Sequence, residues 1–301
     1  MSTSTASGVP ARSLTWQRAA DYLELTKPKI VLMELVTVAV AAVVASSGAP
    51  NLWLLAHALF GTFLVAAGAT AWNQWLERYS DALMHRTADR PLPAARLFGW
   101  EVVLFGTATT LAGVAYLGLL VNLPTAALGA LTWLTYVGIY TPLKSRSPTS
   151  TPVGAVAGAL PILMGWTAVG GQLNLSAATL FSIVFLWQFP HVMAIAWIYQ
   201  RQYAAAGIKL LPVVEPTGLL AGIQAVGGAL VLVPVSLLPA ILGFAGPMYC
   251  IWALTLGLGQ LFYSSAFLLR RNDQTARALL RASLIYLPAL LLPLTAGSFR
   301  Y

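Results

Sequence analysis

Three oxygen-bearing side chains recur at one spacing in the segment AWNQWLERYSDALMHRTADRPLP, from Ala71 to Pro93: Asn73, Glu77 and Asp81. On a helix, residues four apart are turned by only about 40° and raised by about 6 Å, so the three form a stripe. An amide and two carboxylates in one stripe suit a hard cation such as Mg2+, which takes one or two carboxylates and completes its shell with water and substrate phosphates. Arg86 and Arg90 follow, again four apart, and each can fork onto phosphate oxygens. Any one of these charges alone reads as an interfacial loop residue paired with a neighbour. The shared spacing favours a metal–phosphate site.

Two further segments carry polar residues in apolar surroundings. YTPLKSRSPTSTPVG, Tyr140 to Gly154, holds Lys144 and Arg146, which either join the phosphate site or reflect the tendency of inner loops to collect basic residues. The stretch GALPILMGW after it places small residues where helices can pack closely, with Pro161 expected to bend its helix. FLWQFPHVMAIAWIYQRQYAAAGIKLLPVV, ending at Val214, sets Gln188 and His191 inside an apolar run beside Pro190. Polar groups at such depth are costly and face a cavity or a partner helix. Trp187, Phe189 and Trp197 around them suit a pocket for a flat ring, so His191 reads either as a ligand or as a structural hydrogen bonder. His57 and His85 have weaker claims, one in an outer stretch and one in a loop.

The elements that must position these residues are membrane helices. Of 301 residues, 58% are hydrophobic and only 9% charged, whereas a soluble surface requires roughly a quarter charged. The same figures exclude intrinsic disorder. Apolar runs near 30–47, 52–75, 99–120, 123–140, 153–170, 175–199, 219–242, 248–269 and 279–297 predict about nine spans of an all-α polytopic protein. Alternating barrel strands are absent, and helices satisfy their own backbone in lipid. Trp16, Ala20, Tyr22 and Leu23 suggest a short interfacial helix ending at Pro28, giving a polar N-terminal segment, 1–28, and one membrane domain, 29–301. Residues 1–28 lack a signal-peptide core, so no cleavage is expected. The single cysteine, Cys250, excludes an internal disulfide.

A cytoplasmic N-terminus puts every basic residue except Arg300 in inner segments, which also explains the net charge of +8 without nucleic acid. Asp21, Glu24, Glu77, Asp81, Asp89, Glu215 and Asp273 fall on the same side, with Glu34 and Glu101 about one turn inside it. An odd number of spans sends the C-terminus outside. The chemistry is therefore expected at the cytoplasmic face.

NQWLE…DALMHRTADRPLP, YTPLK…GALPILMGW and FLWQFPH…YAAAGIKLLPVV, in this order, resemble the protoheme IX farnesyltransferases (heme O synthases), a branch of the UbiA-type intramembrane prenyltransferases. The resemblance runs from LTKPKIV at Leu25 to the basic loop around Arg281. It implies a nine-helix bundle around a central cavity, capped on the cytoplasmic side by the loops after the second and sixth spans. It further implies transfer of farnesyl from farnesyl diphosphate to a vinyl group of heme b, with addition of water, giving heme O and diphosphate for heme-copper oxidase biogenesis. Asn73, Glu77 and Asp81 fall on the family's metal–diphosphate motif. Arg86, Arg90 and Lys144, with Arg146, fall on its diphosphate-binding residues, and His191, flanked by Gln188 and Trp187, on its heme side.

Four positions depart from the family pattern. Tyr79 stands where an Asp is common, Ser145 where Arg is frequent, Ser150 for Asn, and Gln202 for an acid of the second polar loop. A second Mg2+ would need that acid, so one Mg2+ is expected, with heme b as substrate rather than cofactor. The expected partners are farnesyl diphosphate, heme b and lipid, together with heme A synthase or oxidase assembly proteins. The expected place is a bacterial inner membrane. Three other readings remain: a related enzyme prenylating a quinone precursor or chlorophyllide, an anion transporter using Arg86, Arg90 and Lys144, and a structural subunit of a respiratory complex. A transporter would place its charges near the midplane, and a structural subunit leaves the spaced carboxylates unexplained.

Overall fold

The computed structural model describes residues 11–298, and side chains from residue 16 to residue 295. Arg12, Arg300 and the first ten residues of the polar N-terminal segment thus lie outside what is described of side chains or backbone. The helices are α1 (Ala11–Leu25), α2 (Pro28–Ala45), α3 (Leu52–Ala82), α4 (Gly99–Leu120) and α5 (Leu123–Trp133). A π-helix (Leu134–Tyr140) and α6 (Thr141–Leu143) continue α5. Then come α7 (Ser150–Ala168), α8 (Leu175–Ile198), α9 (Gln200–Ala205), α10 (Leu211–Val214), α11 (Leu219–Ile241), α12 (Pro247–Arg270) and α13 (Asp273–Ser298). Eight of them are each long and apolar enough to cross a membrane. Among the described residues the end-to-end run of α5, the π-helix and α6 adds one composite helix, which makes the bundle consistent with the expected nine spans.

Two spans are longer than hydropathy predicts. α3 continues past residue 75 to Ala82, and α13 begins at Asp273 rather than 279. Hydropathy falls where a helix leaves lipid, but its backbone ladder continues into the interface. Helix starts at the end of the bundle away from the charges are fixed by asparagines. Asn51, Asn122 and Asn174 accept from the backbone N–H of Leu54, Thr125 and Ala177 at 3.1, 2.9 and 3.1 Å, each satisfying a donor the helix leaves open.

Small residues let helices meet at backbone distance. A Cβ at Gly68 of α3 would lie 2.6 Å from the Gly106 carbonyl oxygen of α4, and one at Gly165 of α7 only 2.1 Å from that of Val38 on α2. Gly158 makes room for a side chain instead, since its Cβ would stand 2.5 Å from Gln188 Oε1. α7 and α8 run on through Pro161 and Pro190 as continuous helices.

The interfacial helix expected before Pro28 is present as α1. Trp16 and Leu23 are exposed along it, while Asp21 and Leu25 are buried. Ion pairs tie it to the α3–α4 connection and α4: Arg96 to Asp21 and Glu24, and Arg18 to Glu101.

Candidate active site

Asn73, Glu77 and Asp81 lie on one continuous helix, the last three turns of α3, and Asn73 and Asp81 are fully buried. Each of the three is held by a cation from a different part of the chain. Lys27 Nζ donates to Asn73 Oδ1 at 2.7 Å, Lys144 Nζ to Glu77 Oε1 at 2.6 Å, and Arg90 Nη1 to Asp81 Oδ2 at 2.6 Å. Asn73 Nδ2 donates to Thr141 Oγ1 at 3.1 Å, which ties the stripe to the composite span. The expected convergence of Asn73, Glu77, Asp81, Arg90 and Lys144 is therefore seen.

Arg86 stands at the rim of this cluster. It is exposed, with its guanidinium 5.3 Å from the ring centre of Tyr199, and its backbone N–H donates to Gln202 Oε1 at 3.4 Å. Gln202, the residue replacing an acid, thus links the two polar loops. Tyr203 on α9 is within electrostatic reach of Arg86, Lys144 and Glu77, and burial raises its phenol above the ordinary range. Arg146 is not drawn in. It is exposed two residues beyond Lys144 and meets none of the cluster among the described residues.

Lys27 was not singled out in the sequence. It precedes Pro28 with φ 47° and ψ 60°, a left-handed conformation that Lys rarely adopts and that turns its side chain onto α3. Such backbone strain tends to gather at functional sites. Burial, then the charge of Arg90, pushes its ammonium down to about 7. Burial also works against the charge of Lys144, but the Glu77 carboxylate outweighs it, and Lys144 is held above its ordinary value.

Beside the cluster lies a cavity of about 470 Å3 whose wall is mostly apolar. Trp187, Gln188 and His191 of α8 line it, whereas Phe189 and Trp197, also expected around a pocket, do not: Trp197 packs edge-on against Phe267 and its Nε1 donates to Asp273 Oδ1 at 3.2 Å. His191 Nδ1 is 2.9 Å from Ser283 Oγ on α13, and its ring stacks on Trp187 with centroids 4.7 Å apart. Trp187 Nε1 donates to the Ser283 carbonyl at 2.7 Å, and Gln188 Nε2 to that of Ala155 at 2.9 Å. Tyr136 and Tyr140, both from the π-helix, also face the cavity, and Lys144 Nζ lies 4.6 Å over the Tyr140 ring. Neither tyrosine was identified from sequence. π-helical turns inside longer helices recur at functional sites, and this one widens the turn that carries both rings.

The donor set fits a hard divalent cation, since an amide and two carboxylate oxygens on one helix face match Mg2+ and leave positions for phosphate oxygens. The surrounding Lys27, Arg86, Arg90 and Lys144 match a polyanion.

Residues 35–287 match the UbiA prenyltransferase family. A protoheme IX farnesyltransferase of Solibacter usitatus is 44% identical over 89% of this chain and 95% of its own. Those of Koribacter versatilis and Rhodopirellula baltica are 42% and 41% identical, over 90% and 91% of this chain and 90% and 98% of theirs. In fold, the chain is similar to a solved structure concerned with digeranylgeranylglyceryl phosphate synthase (TM-score 0.81, 18% identity, 95% of this chain and 100% of that one). It is also similar to a UbiA homologue from Archaeoglobus fulgidus bound to DMAPP and Mg2+ (TM-score 0.69, 16% identity, 93% and 99%). The match over most of the chain, with relatives above 40% identity covered nearly end to end, leaves one conclusion: the chain belongs to the UbiA prenyltransferase family, and within it to the protoheme IX farnesyltransferases.

Proposed function

We propose that the protein transfers farnesyl from farnesyl diphosphate to a vinyl group of heme b, with addition of water, to give heme O and diphosphate for heme-copper oxidase biogenesis. The observation that carries this reading is the adjacency of two unlike compartments. An oxygen-and-cation cluster abuts an apolar cavity through Tyr140, whose ring lies under Lys144 and also forms part of the cavity wall.

Asn73, Glu77 and Asp81 would hold one Mg2+, which neutralises charge on the diphosphate leaving group. Lys27, Lys144 and Arg90 turn from the stripe to the diphosphate oxygens, and Arg86 closes over them from the rim. Neutralising the leaving group lets the allylic C–O bond ionise. The apolar cavity keeps water from the farnesyl cation until the vinyl π-bond attacks it. Trp187 and Gln188 form the wall for the porphyrin, and His191, oriented by Ser283, is the candidate axial ligand of its iron. Gln202 in the second polar loop supports one Mg2+ rather than two.

In this reading the N-terminal segment and the polar end of the bundle face the cytoplasm and the C-terminus faces outward, in a bacterial inner membrane. Residues 29–301 form one prenyltransferase domain behind the segment 1–28. A heme A synthase or an oxidase assembly protein would receive the product. The test is to incubate purified protein with heme b, farnesyl diphosphate and Mg2+ and to seek heme O by mass. Heme O formation that stops on chelation of the metal supports the reading. Farnesylation of a quinone precursor or chlorophyllide in place of heme b would overturn it in favour of another branch of the family.

A further inference from the structure

The heme-farnesylation reading, on which this inference rests, ends in a proton that needs a destination. The farnesyl C–O bond breaks and its electron pair leaves with diphosphate. The vinyl π pair forms the new C–C bond, and the carbon next to the porphyrin is left positive. A lone pair of water bonds to that carbon. One O–H bond then breaks, its electrons staying on the new hydroxyl oxygen and its proton passing to a base. Glu77 and Asp81 are poorly suited, being committed to Lys144 and Arg90 and absent from the cavity lining among the described residues.

The titratable side chains lining the cavity, among the described residues, are Lys29, Glu34, Tyr136, Tyr140 and His191. A charged Lys29 has no acceptor, and neutral phenols are weak ones. His191 Nδ1 is engaged by Ser283, its ring is stacked on Trp187, and its other ring nitrogen is the one read above as the candidate ligand of the heme iron. That leaves Glu34, in the second turn of α2, the single carboxylate on the cavity wall among the described residues. Its backbone carbonyl accepts from Thr37 Oγ1 at 2.7 Å, and its carboxylate has no hydrogen-bond or ion-pair partner among the described residues. Glu34 shares the cavity wall with Tyr136 and with Tyr140, the ring that lies under Lys144 of the cluster. An unpaired carboxylate inside a membrane span is costly and marks function. From this placement we infer that Glu34 accepts the proton of the water that captures the cation beside the porphyrin.

The test uses the full chain in detergent with heme b, farnesyl diphosphate and Mg2+. Glu34→Gln keeps the shape and removes the base. Heme O formation should fall about a hundredfold, the low end for losing a general base. The bound-heme spectrum and the affinity for farnesyl diphosphate should stay those of the unaltered protein. A larger share of farnesylated product should be lighter by one water, because an uncaptured cation loses a carbon-bound proton instead. Glu34→Asp should recover part of the rate.

Heme O made by Glu34→Gln at the unaltered rate overturns the inference, as does loss of heme binding in that variant, which would assign Glu34 to porphyrin recognition. Should Glu34→Gln fail to fold, Glu34→His decides. Its imidazole can accept the proton only when neutral, and burial places its titration below the ordinary value of about 6.5. Turnover must therefore fall as pH drops through that lowered titration, and a rate that tracks pH as in the unaltered protein sinks the proposal. Absence of heme O from the unaltered protein would instead sink the underlying reading.

Discussion

Lys144 Nζ and Glu77 Oε1 meet at 2.6 Å across 67 residues of sequence, both largely buried, so a cation and a carboxylate from distant parts of the chain neutralise one another. Removing one partner of such a pair leaves an uncompensated charge, at about 3–5 kcal/mol. We expect Glu77→Gln and Lys144→Met each to lower thermal stability in detergent clearly, and the double variant to lose less than the sum of the two. Heme O formation should be abolished in all three. Recovery of turnover along with stability in the double variant would remove the pair from the chemistry.

Arg86 separates binding from folding, because it is exposed and its side chain touches Tyr199 rather than a carboxylate. Arg86→Ala should leave thermal stability within about 0.5 kcal/mol, as for surface changes away from special features. Turnover should nevertheless fall by about a hundredfold or more, the scale for losing one donor to developing charge. Arg86→Lys should not restore it, since a point charge does not reproduce the guanidinium fork. Turnover unaffected by Arg86→Ala would place this residue outside the diphosphate site.

Orientation can be read with single cysteines once Cys250 is replaced. His85 and Thr149 are exposed at the polar end of the bundle, and Leu173 at the other. Cysteines at His85 and Thr149 should react with an impermeant thiol reagent only from the cytoplasmic side, and one at Leu173 only from outside. Labelling of the position-85 variant from outside would reverse the topology.

The stripe on α3 was legible because a spacing of four matches the helix, so Asn73, Glu77 and Asp81 fall on one continuous face at the end of an apolar run. The nine crossings were legible for the same reason of length and hydropathy. Lys27 was not, since its role depends on a left-handed turn before Pro28 that carries it to Asn73, 46 residues away. Tyr136 and Tyr140 were hidden because nothing in LTYVGIY marks a π-helix, and the facing of both rings follows from that wider turn. Lys144 and Arg146 looked alike as loop cations. Two residues apart in a tight turn, they point to different surroundings, and only Lys144 reaches Glu77.

The heme side of the site turns on whether His191 orients toward iron or merely braces α8 against α13. Its Nδ1 is occupied by Ser283 Oγ at 2.9 Å, and the same Ser283 accepts from Trp187 Nε1 through its carbonyl, so one residue of α13 fixes both rings. Metal-binding histidines are held in this way, with one ring nitrogen anchored so that the other is presented in a fixed tautomer. If His191 is the axial ligand, His191→Ala should weaken or shift the absorption of bound heme b while leaving farnesyl diphosphate affinity nearly intact. Ser283→Ala should cause a smaller shift of the same kind, because the ring keeps its place but loses its anchor. His191→Met should retain a weaker complex with a different spectrum, since a thioether also ligates heme iron. A bracing role gives another pattern. All three variants would lose thermal stability, the spectrum of whatever heme they bind would be unchanged, and His191 would belong to the wall of the pocket rather than to its ligand.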